Sequence, residues 1–205
     1  MITAAAALAR LREGNRRFVS GVRSIDTLVK QMPNAGFTEG QAPFAIILGC
    51  SDSRVPAEII FDQGLGDLFV IRVAGNIVAP SQIGSVEFAA QRFGTPLVVV
   101  LGHTMCGAVM ATLDEMAAPL TTQSSNLLSI VNRIRPTVET LFETELARQP
   151  EQLLQAAIRA NILAATNHLR HGSQILEQLI QQGGFTIIGA EYSLETGAVE
   201  FFEGI

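Results

Sequence analysis

Four stretches of the chain, 43–50, 67–75, 96–103 and 185–192, carry runs of Ile, Val, Leu, Phe and Ala without strict apolar–polar alternation. Such runs suit parallel strands covered on both faces. A fifth, shorter stretch, Ala198 to Glu203, reads as an edge strand at the C-terminus. Between them the apolar period lengthens to that of a helix. Leu8, Leu11 and Phe18 mark a helix over Met1 to Ser20 that Gly21 ends. Ile83, Val86, Phe88 and Ala90 mark another over Ser81 to Phe93, with Ser81 as cap and Gly94 as stop. Cys106 to Met116 follows the third strand as a helix. Ser124 to Glu145 and Pro150 to Gln182 hold longer helices, the first kinked or divided by Pro136. Residues 21–42, with Pro33, Gly36 and Gly40, read as a partly helical arm. Strand–helix alternation predicts an α/β fold: a mainly parallel central β-sheet flanked by helices, with an N-terminal helical arm.

Composition narrows the picture. The 205 residues suit one domain, 1–205, with no internal repeat or linker. Hydrophobic residues make up 48% and charged residues 16%, the balance of a packed globule and the reverse of a disordered chain. So few charges also suggest apolar surface buried against another subunit. The net charge of −5 argues against a nucleic-acid partner, which wants a basic face. No apolar run is long enough to cross a bilayer, and the N-terminus lacks the pattern of an export signal, so no membrane partner and a cytoplasmic location are expected.

The chemistry collects where strands stop. The first strand ends at Cys50-Ser-Asp52-Ser-Arg54 and the third at His103-Thr-Met-Cys106. Ligands of open α/β sheets bind at the carboxyl ends of strands, near a topological switch point. A buried cysteine alone is more often a small hydrophobe. Here both cysteines of the chain and one of its three histidines fall at two such ends. Two thiolates and an imidazole suit Zn2+, which favours tetrahedral geometry and keeps a fourth position open in catalytic sites. A helix starting after Cys106 would turn its positive end toward the sulfurs. Asp52 and Arg54 alternate around Ser53 and can pair. With Arg54 holding it, Asp52 stays off the metal; released, Asp52 could become a fourth ligand and close the site. His168 and His171, at i and i+3, read as polar residues near a helix end rather than as a second metal site.

The segments Cys50-Ser-Asp-Ser-Arg-Val-Pro56, Ala74-Gly-Asn76 and His103-Thr-Met-Cys-Gly107 resemble the signature segments of the β-class carbonic anhydrases. The resemblance runs from the N-terminal helix through the last strand. It implies a zinc lyase, one Zn2+ per subunit on Cys50, His103 and Cys106, that interconverts carbon dioxide and bicarbonate through zinc-bound hydroxide oriented by the Asp52–Arg54 dyad. It implies a homodimer, extending to a homotetramer as a dimer of dimers, with contacts from the 1–42 arm. Gln41 matches a glutamine beside the metal-bound solvent in the plant-like branch, and the absence of Trp favours that branch. Phe69, Ala74 and Phe88 match the apolar carbon dioxide pocket, although Val at 74 and Tyr at 88 are common in the family. The Gly107 N–H matches a donor to bicarbonate. Three alternatives stay open at this point: a carbon disulfide or carbonyl sulfide hydrolase on the same scaffold, a non-enzymatic closed zinc site, and a redox sensor using the Cys50–Cys106 pair.

Overall fold

The computed structural model describes residues 2–30, 32, 38, 40–118 and 124–202. Met1, Pro33, Gly36 and Glu203, which figure in the predicted element ends and the arm, lie outside them. Five strands form one sheet: β1 (Ala45–Gly49), β2 (Leu68–Arg72), β3 (Leu97–His103), β4 (Thr186–Tyr192) and β5 (Val199–Phe202). Their order is β2-β1-β3-β4-β5. The first four are parallel, and β5 pairs antiparallel with β4. The helices are α1 (Ala4–Val19), α2 (Ile25–Lys30), α3 (Ala57–Ile60), α4 (Pro80–Phe93), α5 (Gly107–Ala117), α6 (Ser125–Val138), α7 (Pro150–His171) and α8 (Gln174–Gln181).

The unbroken apolar runs are explained by two cores, one on each face of the sheet. Every residue of β1 and β3 is buried. Alternate side chains sort by the pleat. Ile46, Leu48, Val98 and Val100 join the buried residues of α4 to α8. Ile47, Leu97, Val99 and Leu101 join Ala7 and Leu11 of α1 and Ala57 and Ile60 of α3. The first helix thus packs against the sheet as one layer of the fold. Asn15 of α1 fastens it, donating to the carbonyls of Ile60 and Gly197 and accepting from the Val199 N–H.

Several boundaries differ from the sequence reading. Helix α4 starts at Pro80, with Ala79 as an N-cap that offers no side-chain bond, and the Ser81 hydroxyl contacts Gln82 instead. Proline is well suited to the first helical position, where its missing N–H costs nothing. Gly94 closes the helix in the left-handed region, as expected. Helix α6 runs through Pro136 and stops two residues later, giving way to 3-10 turns at Glu139–Glu143 and Glu145–Arg148. The stretch 150–182 divides at Gly172, where a Cβ would lie 2.5 Å from the His168 carbonyl oxygen. Ser173 then caps α8 by accepting from the Leu176 N–H. Among the described residues no helix is long and apolar enough to cross a membrane.

Asp62 locks α1 and α2 to the loop after α3. Its carboxylate is fully buried and takes Arg17 Nε at 2.6 Å, Arg23 Nε at 2.8 Å and the Ser24 N–H at 3.1 Å. Its backbone sits at φ 45°, a conformation Asp and Asn tolerate better than most residues. Burial alone would raise its pKa; the two guanidinium bonds and the Ser24 N–H outweigh that and lower it. A lowered folded-state pKa contributes stability that is present above the unfolded value and lost as pH falls through the folded one. Asp62→Asn is therefore expected to lower stability by about 2 kcal/mol at pH 7 in urea unfolding. The gap to the parent should shrink as pH drops below about 4, and an equal gap at pH 7 and pH 3 would contradict this account.

Candidate metal centre

Strand β1 has β2 on one side and β3 on the other, so the chain leaves it in opposite directions and a crevice opens at the carboxyl ends of β1 and β3. Gly49 pairs with Leu101, which places Cys50 beside the end of β3 at His103. Gly102 lets α7 press close, since a Cβ there would meet Ile162 at 2.4 Å. The chain then turns back through Thr104 and Met105, the latter at φ 56°. The Thr104 N–H donates to the Tyr192 carbonyl and its hydroxyl accepts from the Leu194 N–H, so the turn is pinned to the end of β4. Cys106 follows as the N-cap of α5.

The result is a buried cluster. The ligand atoms of Cys50, His103 and Cys106 all lie within 4.8 Å of one another. The two sulfurs are 4.0 Å apart. Two Zn–S bonds of about 2.3 Å at a tetrahedral angle would set them roughly 3.8 Å apart, so the donor set fits zinc. The His103 ring supplies a second sign of fit. Its Nδ1 lies 2.9 Å from the Thr104 carbonyl oxygen, which makes Nδ1 the protonated nitrogen and leaves the Nε2 lone pair free. Nε2 is buried and has no hydrogen-bond partner. An orphaned buried nitrogen is costly unless something else satisfies it, and metal-ligating histidines are oriented in this way.

The electrostatics favour thiolate at Cys50. Cys50 is lowered to about 4, first by the hydrogen bond from Cys106, then by His103 and the N–H groups of Asp52 and Gly75, against the opposing effect of burial. Cys106 is raised by the same bond to Cys50 and by burial. Metal ligation requires thiolate, so a cation bound here would compete with protons for the two sulfurs. The Gly75 N–H lies 3.3 Å from Cys50 Sγ. The first N–H groups of α5, from Ala108 and Val109, act on Cys106 in the lowering sense. For His103, burial disfavours the charged ring, but the neighbouring Cys50 raises its pKa overall.

Asp52 and Arg54 form a bidentate pair: Arg54 Nε to Oδ1 is 3.0 Å and Nη2 to Oδ2 is 2.8 Å, and the Arg54 N–H adds a third bond to Oδ1 at 2.9 Å. This arginine holds the Asp52 pKa well below the usual carboxylate range, despite the opposing effect of partial burial. Oδ2 lies 3.9 Å from His103 Nε2, so the carboxylate faces the cluster while Arg54 restrains it. Arg72, at the end of β2, clamps the same loop by donating to the Cys50 carbonyl at 3.0 Å and the Asp52 carbonyl at 2.6 Å. The sequence reading missed this residue, although a charge closing an otherwise apolar strand was a signal for it. A cavity of about 780 Å3 reaches Arg54, lined also by Met105, Leu154, Ile158 and Leu194.

The remaining predicted residues divide in two. Gly107 opens α5, so its N–H belongs to the first turn, which has no intrahelical acceptor, and nothing lies within 4 Å of where its Cβ would be. Ala74 precedes the Gly75 that contacts Cys50. Gln41, Phe69 and Phe88 do not reach the cluster of their own chain. Gln41 is exposed and precedes β1, whose five residues, about 16 Å of extended chain, separate it from Cys50. Phe69 pairs with Ile46 near the opposite end of the strands and packs with Phe88 and Phe93 at ring distances of 6.2 Å. Phe88 is 53% exposed. His168 and His171 are exposed on α7. Among the described residues, Cys50, His103 and Cys106 are the group that could hold a metal.

Comparison with known proteins agrees with this geometry. The carbonic anhydrase family model matches residues 45–199. The chain is 38% identical over 198 residues to a carbonic anhydrase of Mycolicibacterium smegmatis, covering 95% of this chain and 91% of that protein. It is 39% identical over 197 residues to carbonic anhydrase 2 of Mycobacterium tuberculosis, covering 94% and 89%. Among solved structures, the β-carbonic anhydrase CcaA superposes with a TM-score of 0.72 at 26% identity, covering 96% of this chain and 88% of that one. A tetrameric β-carbonic anhydrase of Sordaria macrospora shares the fold with a TM-score of 0.71 at 23% identity, covering 82% and 84%. By sequence, by fold and by the cluster at its switch point, the chain belongs to the β-carbonic anhydrase family, whose activity is that of a carbonate dehydratase.

Proposed function

We propose that the chain catalyses the reversible hydration of carbon dioxide to bicarbonate and a proton, with one Zn2+ per subunit held by Cys50, His103 and Cys106. The observation that carries this reading is the buried Cys–His–Cys cluster with its free Nε2 lone pair, faced by a carboxylate that an arginine restrains. Zinc in such a site lowers the pKa of a bound water to about 7 and so supplies the nucleophile at neutral pH.

The chain's own groups do the rest. Asp52, kept ionised by Arg54, accepts the hydrogen bond of the attacking oxygen and turns a lone pair toward the substrate carbon. Three bonds from Arg54 keep the carboxylate away from the metal position, which supports the open form of the site. Ala74 supplies an apolar wall suited to an uncharged substrate, and the Gly107 N–H donates to the anionic product. The absence of Trp supports placement in the plant-like branch.

Gln41, Phe69 and Phe88 take part as the partner's contribution to each site. The support is geometric: they lie away from their own cluster, Gln41 and Phe88 are exposed, and Phe69 packs against Phe88. Phe88 and the α1–α2 segment, with Val22, Ile25 and Val29 each at least 60% exposed in that segment, offer such surface to a second copy. The assembly proposed is therefore a homodimer, able to pair into a tetramer.

Asp52→Ala should retain about one zinc per chain yet lose kcat/KM by about 10²-fold or more; full activity would refute the role of the dyad. Cys106→Ser should lose zinc and melt at lower temperature, because metal binding and folding are linked. A zinc-loaded, fully stable Cys106→Ser protein would exclude the ligand assignment. Phe88→Arg should shift the mass measured by light scattering toward the monomer and reduce activity with it. An unchanged assembly with unchanged activity would contradict the shared site.

A further inference from the structure

Behind the cluster, α7 carries a buried amide that the chemistry above does not use. Asn161 is 4% exposed, and its Nδ2 donates to the Gly75 carbonyl at 2.8 Å. Gly75 in turn donates its N–H to Cys50 Sγ at 3.3 Å. The residue between these two bonds sits at φ 69°, in the left-handed region that glycine adopts without strain. It has no room for anything larger, since a Cβ would come within 2.8 Å of Ile134 Cδ1 and 3.1 Å of Ala108 Cβ. Gly75 is thus a residue held on both sides: its carbonyl by an amide and its N–H on a sulfur.

We infer that Asn161 is a positioning residue for the metal site: by fixing the Gly75 carbonyl it aims the Gly75 N–H at the Cys50 sulfur and so sets the donor strength of that thiolate. Without the amide, the Gly75 carbonyl loses its buried donor, and the glycine would hold its N–H less firmly on the sulfur. The sulfur would then carry more electron density and be less firmly located. Groups that orient a metal's ligands from behind have effects of this kind on affinity. Asn161 lies 86 residues from Gly75 and 111 from Cys50 in sequence numbering, so only the packing of α7 against the end of the sheet brings the three into line.

The inference rests on the metal site proposed above, and Co2+ substitution separates the two. Cobalt bound by thiolates shows sulfur-to-metal charge-transfer absorption. Parent protein that shows no such band refutes the metal site itself, and the relay with it. Given the band, Asn161→Leu, close in size and unable to donate, is expected to move it to longer wavelength. Release of zinc to a chelator should also quicken about tenfold or more. Thr166→Val is the control: Thr166 is fully buried on the same helix and, among the described residues, its hydroxyl donates to the Ile162 carbonyl. It should leave the band and the release rate unchanged. If Asn161→Leu does not fold, Asn161→Ala, which only removes atoms, serves in its place. An unmoved band with parental zinc release in the folded variant overturns the inference. So does an equal change in Thr166→Val, which would mark general loosening of α7.

Discussion

The structure depends on one constraint: three soft donors from two separate strand ends must meet in a buried space a few ångströms wide. Cys50 leaves β1 and His103 ends β3, and these strands are neighbours because the chain order reverses between them. Burying two thiols and an imidazole together is unfavourable unless a cation takes their place as partner. The orphaned Nε2 of His103 shows that cost on the page. Much of the surrounding chain can be understood as what holds this arrangement in register: the Thr104 turn pinned to β4, the Arg72 clamp on the 50–52 loop, and Gly102 giving α7 close access.

Charge is managed by layers. Thiolate is favoured inside by N–H groups from Gly75 and the start of α5, which need no counter-ion of their own. At the rim, Asp52 is kept ionised and restrained by Arg54, so a negative group can face the cluster without occupying it. The same device appears far from the site at Asp62, where two arginines hold a buried carboxylate and lock the first two helices. There the pairing serves the fold; at Asp52 we propose that it serves the chemistry. The difference lies in what the carboxylate faces rather than in the pair.

The legible parts of the sequence were those written in short range. Unbroken apolar runs marked the buried strands, and Cys50, His103 and Cys106 stood out because two of them fall at strand ends and Cys106 follows His103 by three residues. What the sequence hid depends on contacts between distant segments. Arg72 reaches back 20 and 22 residues to the loop carbonyls, and Asn161 reaches 86 residues to Gly75. The first helix is legible from Leu8, Leu11 and Phe18, but not the face of the sheet it covers. Ala7 and Leu11 seat it on the sheet. Local chemistry also misled: Ser81 is a good cap by type, but Pro80 beside it is a better helix start. Gln41, Phe69 and Phe88 carry family resemblance, yet they lie away from the cluster of their own chain, which no local pattern could reveal.

X-ray absorption at the zinc edge of the purified protein tests the central claim most directly. The account predicts one zinc per chain with two sulfur neighbours and two lighter ones. A shell without sulfur, or active protein with no zinc, would contradict it.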